Sequence, residues 1–289
     1  MLFSVVIPAF NAEPYIDAQL SALVSQTETD PFEVIVVDNL STDRTAEIAS
    51  RHADKLDLRI VRASEGRSAS YARNVGIREA HGEFIVFVDA DDIVDRRLLA
   101  EYRSMSSRYR VMGGRYDERQ LNDPRVAVWR PELTKDGLPI AYRIVPHFLM
   151  GNAAIHKSVF NDIGTLDELL THGGEEIDFS IRARLAGYEI GWVPDAIVYY
   201  RHRTDLHGFA RQFFDYGRAS AYVYARHRVQ ARLPATTARN AAMVFWAMVP
   251  HAVDVVLGNA RRGRWVRESS FYGGQLVESL RQRLWYVGG

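Results

Sequence analysis

The segment Phe84-Ile85-Val86-Phe87-Val88-Asp89-Ala90-Asp91-Asp92 runs from five apolar residues into a turn that carries three acids. A short, uninterrupted apolar run is typical of a strand buried on both faces of a parallel sheet. We therefore predict a strand over Glu83–Val88. Because ligands of open α/β sheets lie outside the carboxyl ends of the strands, the acids after this strand are expected to face a ligand.

The residues before this segment show the same strand pattern three more times, each followed by a helical pattern. Strands that alternate with helices predict a parallel sheet covered by crossover helices. The predicted strands are Phe3–Ile7, Glu33–Val37 and Leu58–Val61, and the predicted helices are Glu13–Ser25, Asp43–Arg51 and Ser68–Ala80. The first hundred residues are thus predicted to form a Rossmann-like α/β unit.

The residues after the acidic turn are less regular. Residues 112–142 are rich in Arg, Asp and Pro, which predicts edge strands and loops of the kind that often face a substrate. A strand, two helices and a strand pair are predicted next, at Gly151–His156, Lys157–Ile163, Glu175–Ala186, Glu189–Val193 and Ala196–Tyr200. The remaining pattern is helical, at Leu206–Arg228, Thr236–Leu257 and Glu268–Tyr286. We therefore predict a domain over residues 1–203 and a helical extension over residues 204–289.

The composition excludes several classes of protein. The 289 residues include 36 basic and 36 acidic side chains and no cysteine, which excludes disulfides, thiolate metal sites and thiol nucleophiles. A reducing cytoplasm is compatible with this composition. The start, MLFSVVIPAF, lacks a basic segment and is predicted to be a buried strand rather than a signal peptide. Zero net charge argues against a nucleic-acid partner.

The charges are distributed unevenly along the chain. Residues 1–200 carry 22 basic and 31 acidic side chains, whereas residues 201–289 carry 14 and 5. The basic extension also places Trp246, Trp265 and Trp285 on amphipathic helical patterns. These features predict attachment to an anionic membrane surface, such as the inner face of the plasma membrane. A homodimer interface, or packing against the rest of the chain, explains them equally well.

Two strand ends carry candidate binding residues. Asp89 and Asp91 can hold a hard divalent cation whose remaining positions are filled by phosphate oxygens. The alternative is a solvated acidic loop in which Asp95 caps a helix. Asp38 ends the second strand, where a carboxylate can accept hydrogen bonds from a nucleotide base or a ribose hydroxyl. The turn after the first strand, Pro8–Glu13, contains no glycine, which excludes the dinucleotide-binding fingerprint.

Five segments in order resemble the motifs of the family 2 glycosyltransferases of the GT-A fold. They are VVIPAFN (5–11), VIVVDNLSTDRT (34–45), GRSASYARNVGI (66–77), FVDADD (87–92) and HGGEEIDFSIRARLAGYEIGWVPDAIVYYRHR (172–203). The resemblance implies a mixed α/β sheet flanked by helices, with a nucleotide-binding half at 1–110 and an acceptor half at 111–203. It implies an enzyme that moves a sugar from a nucleotide diphosphate sugar to an acceptor hydroxyl with inversion.

The resemblance also assigns roles to residues. It implies that Asp89 and Asp91 are the family's DxD pair, which holds Mn²⁺ or Mg²⁺ mainly through the second aspartate. It also implies that Glu175-Glu176 contains the general base. The donor is expected to be a UDP-sugar, with GDP- and dTDP-sugars as alternatives, and the acceptor a glycan, a glycolipid or a small molecule. The residues expected at the nucleotide are Pro8, Phe10, Asn11, Asp38, Arg73, Asn74 and Asp89.

Two positions depart from the family pattern. The acidic pair reads Glu175-Glu176 where relatives have Glu-Asp, and Tyr200 occupies a position where many relatives have a metal-binding histidine. His202 lies two residues further on, so in an extended segment it points to the same side and can replace that histidine. These departures keep a second hypothesis open, in which the chain binds a nucleotide sugar with weak catalysis or none.

Overall fold

The computed structural model of the chain describes residues 1–248 and 258–288. The strands are β1 (Phe3–Ala9), β2 (Glu33–Asp38), β3 (Asp57–Arg62), β4 (Phe84–Val88), β5 (Ile93–Val94), β6 (Val111–Asp117), β7 (Ile140–Ala141), β8 (Val145–Pro146), β9 (Asn152–His156) and β10 (Ile190–Tyr199). The helices are α1 (Ile16–Val24), α2 (Thr45–Ser50), α3 (Ala69–Glu79), α4 (Leu98–Met105), α5 (Pro124–Ala127), α6 (Lys157–Ile163), α7 (Glu175–Leu185), α8 (Leu206–His227), α9 (Ala238–Met248) and α10 (Asn259–Arg281).

Eight of these strands form one mixed sheet in the order β3-β2-β1-β4-β9-β6-β10-β5, and β7 and β8 form a separate hairpin. The first four strands of that order are parallel, as the sequence predicts. Their residues alternate between two hydrophobic clusters, with Val5 and Ile7 on one face and Val6 on the other. Burial on both faces explains the uninterrupted apolar runs.

The parallel strands bring their carboxyl ends to one edge of the sheet. In the register of β1 and β2, Ala9 lies beside Asp38, and β4 ends at Val88, directly before the acidic turn. The antiparallel pairing of β4 with β9 places Asn152 opposite Val88 at the same edge. This edge therefore gathers the loops that carry most of the candidate residues.

The structure corrects two predictions for the second half of the sheet. Residues 112–142 contain β6, which lies inside the sheet between β9 and β10 rather than at an edge. Two glycines interrupt the apolar pattern of this strand, and close neighbours require glycine at both positions. A Cβ on Gly113 would lie 2.6 Å from Phe148 Cβ, and one on Gly114 would lie 2.3 Å from the Ala196 carbonyl oxygen. The predicted strand pair at 189–200 is a single strand, β10, with an irregular register between Val193 and Ile197.

The extension is helical, as predicted, and two of its helices pack closely. A Cβ on Gly217 of α8 would lie 1.9 Å from the Phe271 carbonyl oxygen, and one on Gly274 of α10 would lie 2.0 Å from that of Phe214. Glycine at both positions therefore lets the two backbones touch. α10 begins nine residues before the predicted start at Glu268. The second predicted helix, Thr236–Leu257, is seen as α9, and its residues 249–257 lie outside the described part.

Within the described residues, none of the helices combines the length and the apolar character needed to cross a bilayer.

Candidate active site

The acidic turn after β4 lies at the carboxyl edge of the sheet and makes few hydrogen bonds of its own. Asp89 Oδ1 accepts a hydrogen bond of 2.6 Å from Arg73 Nη2. Asp92 is buried, and its Oδ1 accepts from the Arg201 backbone N–H while Oδ2 has no partner. A Cβ on Gly151 would lie 2.4 Å from Asp89 Oδ2, so glycine leaves this carboxylate its space.

Arg73 connects the acidic turn to the acidic pair of α7. Its Nη1 donates to Glu175 Oε1 at 2.8 Å while its Nη2 holds Asp89, and its side chain is 5% exposed. The sequence predicts Arg73 near the nucleotide and does not predict this bridge. The bridge brings the FVDADD segment, the start of α7 and α3 together at one point, although the two carboxylates lie 86 residues apart in the chain.

Burial and mutual repulsion raise the pKa of four acids at this site. Burial, and then the charge of Asp89, raise the pKa of Asp91; burial, and then the charge of Asp91, raise that of Asp92 well above its ordinary value. Burial also raises the pKa of Glu175, against the effect of Arg73. The pKa of Glu176 reaches about 8, because burial and the charge of Glu175 both disfavour its carboxylate.

This donor set fits a hard divalent cation. Asp91 is partly exposed beside Asp89, and the buried Asp92 Oδ2 has no hydrogen-bond partner. A cation favours the charged form of these acids and so reverses the rise in their pKa values. In the described part of the chain, no group of three or more His, Cys, Asp or Glu side chains is already arranged to hold a metal. The remaining ligands would therefore come from solvent and phosphate.

The loops after β1 and β2 form a second part of the site. Phe10 is 44% exposed, and the guanidinium carbon of Arg67 lies 4.5 Å from its ring centroid. Asp38 Oδ1 accepts from the Ser41 N–H, while Asn11 accepts from the Thr42 N–H at 2.8 Å and holds the two loops together. An exposed aromatic face beside a carboxylate suits a nucleotide base. Pro8 pairs with Val37 in the sheet and lies directly below this surface.

Arg67 was not among the predicted site residues, and the reason is its position in a loop. The buried Asn39 donates to the carbonyl oxygens of Ala63 and Gly66 at 2.8 and 2.7 Å, which fixes the loop that carries Arg67. The GRSAS sequence, which leads into α3, is the local sign of this loop. Arg67 and Phe10 are 57 residues apart, so their contact depends on the pairing of the sheet.

Asn74 makes hydrogen bonds to the loop that follows α6, and its predicted role at the nucleotide stays a prediction. Its Nδ2 donates to the Leu166 carbonyl oxygen and to Glu168 Oε1, and its Oδ1 accepts from the Leu166 N–H. The side chain is buried, with both its amide groups engaged. Asn74 therefore fastens α3 to the loop that follows α6.

His202 is not hydrogen-bonded to either aspartate of the DxD pair. Its Nε2 lies 2.9 Å from Glu118 Oε2, and this carboxylate also accepts from Arg130 and from the Leu133 N–H. Burial lowers the pKa of His202, which favours the neutral ring. Its Nδ1 is buried without a partner. A role as a metal ligand stays a prediction, and Nδ1 is the nitrogen left for it.

The arginines on both sides of His202 lie closer to the acidic turn. Arg201 Nε donates to the Asp91 carbonyl oxygen at 2.9 Å, and its guanidinium carbon lies 4.9 Å from the ring centroid of Tyr15. The charge of Arg203 opposes the rise in the pKa of Asp91. The sequence Arg201-His202-Arg203 signals this cationic segment, although only the histidine was predicted as a site residue.

The C-terminal extension contacts the loop that precedes the acidic pair. Gly173 and Gly174 have φ values of +109° and +87°, in the region that favours glycine. A Cβ on Gly173 would lie 2.7 Å from Tyr216 Cδ1, and one on Gly174 would lie 2.9 Å from Ala219 Cβ. Burial, with smaller effects of nearby groups that include Glu176, raises the pKa of Tyr216 well above its ordinary value. α8 thus forms a wall beside the acidic pair.

Comparison with known proteins identifies the family. Residues 4–164 match the family model described as glycosyl transferase family 2. The chain belongs to glycosyl transferase family 2. This membership confirms the resemblance seen in the sequence, and it places the chain in a family of transferases.

Relatives in this family differ in length. The poly(ribitol-phosphate) β-N-acetylglucosaminyltransferase TarS of Staphylococcus aureus is 29% identical over 213 residues, which are 71% of this chain and 36% of TarS. The chain thus spans about a third of the length of that relative. The glycosyltransferase AglE of Haloferax volcanii is 29% identical over 280 residues, or 93% of this chain and 88% of AglE.

Solved structures confirm the predicted GT-A fold. A mannosyltransferase from Pyrobaculum calidifontis, PcManGT, in complex with GDP-Man and Mn²⁺, matches with a TM-score of 0.65 and 18% identity over 96% of this chain and 86% of that one. Residues 1–349 of TarS in complex with UDP match with a TM-score of 0.56 and 22% identity over 99% and 93%.

Proposed function

We propose that the chain is an inverting glycosyltransferase that moves a sugar from a nucleotide diphosphate sugar to an acceptor hydroxyl. The observation that carries this proposal is the bridge from Asp89 through Arg73 to Glu175. The bridge joins the acids of the turn, which suit a cation that binds a diphosphate, to the acidic pair of α7, which suits proton transfer. A buried carboxyl group whose pKa is shifted toward neutrality is typical of a catalytic acid or base, so the pKa of about 8 at Glu176 supports turnover rather than binding alone.

The donor binds along the carboxyl edge of the parallel strands. Phe10 and Arg67 offer a stacked surface for the base, and Asp38 accepts a hydrogen bond from the base or ribose. Arg201 and Arg203 face the diphosphate. We propose a UDP-sugar as the donor, with GDP- and dTDP-sugars as alternatives, and the complexes of TarS with UDP and of PcManGT with GDP-Man support this class.

A divalent cation, Mn²⁺ or Mg²⁺, would be held by Asp91 and Asp89, with His202 Nδ1 as a further candidate ligand. When bound, the cation neutralises charge that develops on the leaving diphosphate. The Mn²⁺ in the PcManGT complex supports this proposal. The charges of Arg201 and Arg203 lower the pKa of Asp91, and we expect the same two arginines to offset charge on the diphosphate.

Glu176 acts as the general base. The acceptor oxygen attacks the anomeric carbon as the bond from that carbon to the phosphate oxygen breaks, its proton passes to the Glu176 carboxylate, and the electron pair leaves with the nucleoside diphosphate. A single displacement of this kind inverts the anomeric centre. General-base catalysis typically contributes about 10²–10⁴-fold to the rate, most effectively when the pKa of the base is near the working pH.

The acceptor is a glycan, a glycolipid or a small molecule, bound between α7 and α8 where Glu176 lies. We propose that the protein acts in the cytoplasm. The basic extension, with 14 arginines against 5 acids after residue 200, meets either an anionic membrane surface or a second copy of the chain.

Donor turnover tests the proposal. Incubation with nucleotide sugars and Mn²⁺ or Mg²⁺ should release nucleoside diphosphate, and Asp91→Ala should abolish this release. Glu176→Gln should lower the rate about 10²-fold or more with donor affinity nearly unchanged. The matched control is Glu189→Gln, an exposed residue before β10, at the opposite end of that strand from the site. Binding of donors without turnover by the unaltered chain would favour the non-catalytic alternative.

A further inference from the structure

The end of the extension exposes a group of large apolar side chains. Met243 and Trp246 of α9 are 61% and 76% exposed, and Leu280 and Trp285, at the end of α10 and just after it, are 61% and 47% exposed. We call these four residues the C-terminal patch. Apolar side chains scattered singly over a surface are ordinary, but a group of large ones marks an interaction site.

α9 lies against residues 285–288, so the exposed side chains of the patch lie on neighbouring elements. Thr236 Oγ1, just before α9, donates to the Trp285 carbonyl oxygen. On the next turns Ala241 is buried, and a Cβ on Gly288 would lie 2.3 Å from Val244 Cγ2. One face of α9 is thus packed, which leaves Met243 and Trp246 on the opposite face.

The surroundings of the patch are basic. The segments 228–248 and 279–288 contain five arginines and no acidic residue; they are Arg228, Arg232, Arg239, Arg281 and Arg283. All five are exposed. Arg281 has a distant ion pair with Glu278, at 3.7 Å, and Glu278 itself is 6% exposed. The patch therefore combines exposed Trp, Met and Leu with exposed arginines, and these two segments contribute no acid.

We propose that the C-terminal patch docks the protein on an anionic lipid bilayer. Apolar side chains enter the interface and arginines meet the lipid phosphates, and these two contributions act together. A second copy of the chain fits less well. A two-fold interface places the same surface on both sides, so the five arginines of one copy would face those of the other.

Docking of this kind would bring the acceptor site close to the lipid. Tyr286, next to Trp285, shares a hydrophobic cluster with Leu170 and Ile181, which lie before and within α7. The Tyr286 ring also stacks on Tyr224 of α8 at a centroid distance of 4.1 Å. This step rests on the proposed transferase function. Given that function, the acceptor is a lipid-linked molecule. The docking itself does not depend on that function.

Vesicle binding tests the docking with the full chain. Vesicles of phosphatidylcholine mixed with phosphatidylglycerol should sediment the protein at low salt, while phosphatidylcholine alone should bind it at least about tenfold less, since anionic lipid supplies the attraction to the arginines. Met243→Glu/Trp246→Glu should reduce binding to the anionic vesicles at least about tenfold, and so should Arg281→Glu/Arg283→Glu.

Matched controls separate the patch from general effects. Ala18→Glu/Val24→Glu places the same two new charges on exposed sites of α1, and Arg78→Glu/Arg110→Glu changes the net charge as much as Arg281→Glu/Arg283→Glu does, far from the patch. Both controls should bind within about twofold of the unaltered chain. Equal binding by the patch variants, no binding of the unaltered chain to anionic vesicles, or a dimer that light scattering shows to dissociate in Met243→Glu/Trp246→Glu would overturn the proposal.

Donor turnover in solution keeps the two proposals apart. The patch variants should release nucleoside diphosphate at the rate of the unaltered chain, because no patch residue touches the acidic turn or α7. Loss of vesicle binding with turnover intact bears on the docking alone. Vesicle binding by a chain that does not turn over any donor would support the docking and count against the proposed function.

Discussion

At the scale of single residues, Arg73 gives two adjacent glutamates different surroundings. It holds Glu175 directly at 2.8 Å and leaves Glu176 under the influence of the Glu175 charge. Arg73 opposes the rise in the pKa of Glu175, whereas the Glu175 charge adds to the rise at Glu176, and such unlike surroundings suit two carboxyl groups to different tasks. Glu175 is placed as a charged partner of Arg73, and Glu176 as the group that takes up a proton.

Glu175→Gln should lower the pKa of Glu176 from its value of about 8. The substitution removes a negative neighbour and leaves the Arg73 charge, and both changes favour the Glu176 carboxylate. Because a general base acts as the carboxylate, the rate should rise with pH at a lower pH than in the unaltered chain. A pH profile of donor turnover measures this shift.

The control for this profile is Glu189→Gln, which should leave the rise where it is. If the Glu175→Gln profile moves to higher pH, or does not move, Glu176 is not the group whose proton transfer controls the rate.

The sequence predicts residues whose role is local, and it does not reveal partners that are distant in the chain. The acids of Asp89–Asp92 and Glu175-Glu176 follow strand or helix boundaries, so their positions can be predicted from local patterns. His202 is predicted to face the metal, and the sequence does not reveal that Glu118, buried and 84 residues earlier, lies beside its Nε2. Asn74 similarly bonds Leu166 across the fold. Neither partner has a signal in the neighbouring sequence.

At the scale of elements, the position of α7 depends on α8. Two glycines before α7 pack on Tyr216 and Ala219, and His227 Nε2 lies 2.7 Å from Asp178 Oδ1 on α7 itself. Tyr142 also donates to the Ser220 carbonyl oxygen of α8 at 2.8 Å. α8 therefore fixes both the loop that leads into α7 and one side of the helix that carries Glu176.

Tyr216→Ala should lower the rate of sugar transfer about tenfold or more, because a small displacement of Glu176 misplaces the base. Donor affinity should change little, since the donor residues lie on the other loops. Steady-state transfer kinetics and nucleotide titration measure the two effects separately. Tyr216→Phe keeps the ring against Gly173 and loses only the hydrogen bond from Gln212, so it should restore most of the rate. Equal losses in both variants would contradict a supporting role of the ring.

Elements were predicted correctly where a single pattern is unbroken. β1, β2 and β4 have continuous apolar runs, and their type and order follow from the sequence. β6 was missed as an inner strand because Gly113 and Gly114 interrupt its pattern, and these glycines are required by close contacts with Phe148 and Ala196. β10 was divided in two at Pro194, which lacks an N–H for the sheet and lies in the irregular stretch of the strand.

At the scale of the whole molecule, the described part of the extension is joined to the catalytic part by buried contacts. Trp129 packs against Phe209 of α8 and donates from its ring N–H to Asn259 Oδ1 at the start of α10. At the other end, Tyr142, Tyr224 and Tyr286 form one aromatic group. Such contacts at both ends of the helices couple the two parts.

The chain should therefore unfold in a single cooperative transition. Calorimetric and van't Hoff enthalpies of unfolding should agree, as they do for one cooperative unit. His227→Ala leaves Asp178 with one fewer partner and should lower the free energy of unfolding by about 1–3 kcal/mol without dividing the transition. A separate transition at lower temperature would show that the extension folds independently of residues 1–203.

The most direct measurement of the central claim is a calorimetric titration of the protein with UDP and GDP in the presence and absence of Mn²⁺. We expect one nucleoside diphosphate to bind much more tightly with Mn²⁺, Asp91→Asn to lose that enhancement, and Glu176→Gln to keep it. Nucleotide binding that Mn²⁺ does not alter, or an enhancement that survives in Asp91→Asn, would contradict the assignment of the acidic turn as the site of the cation and the diphosphate.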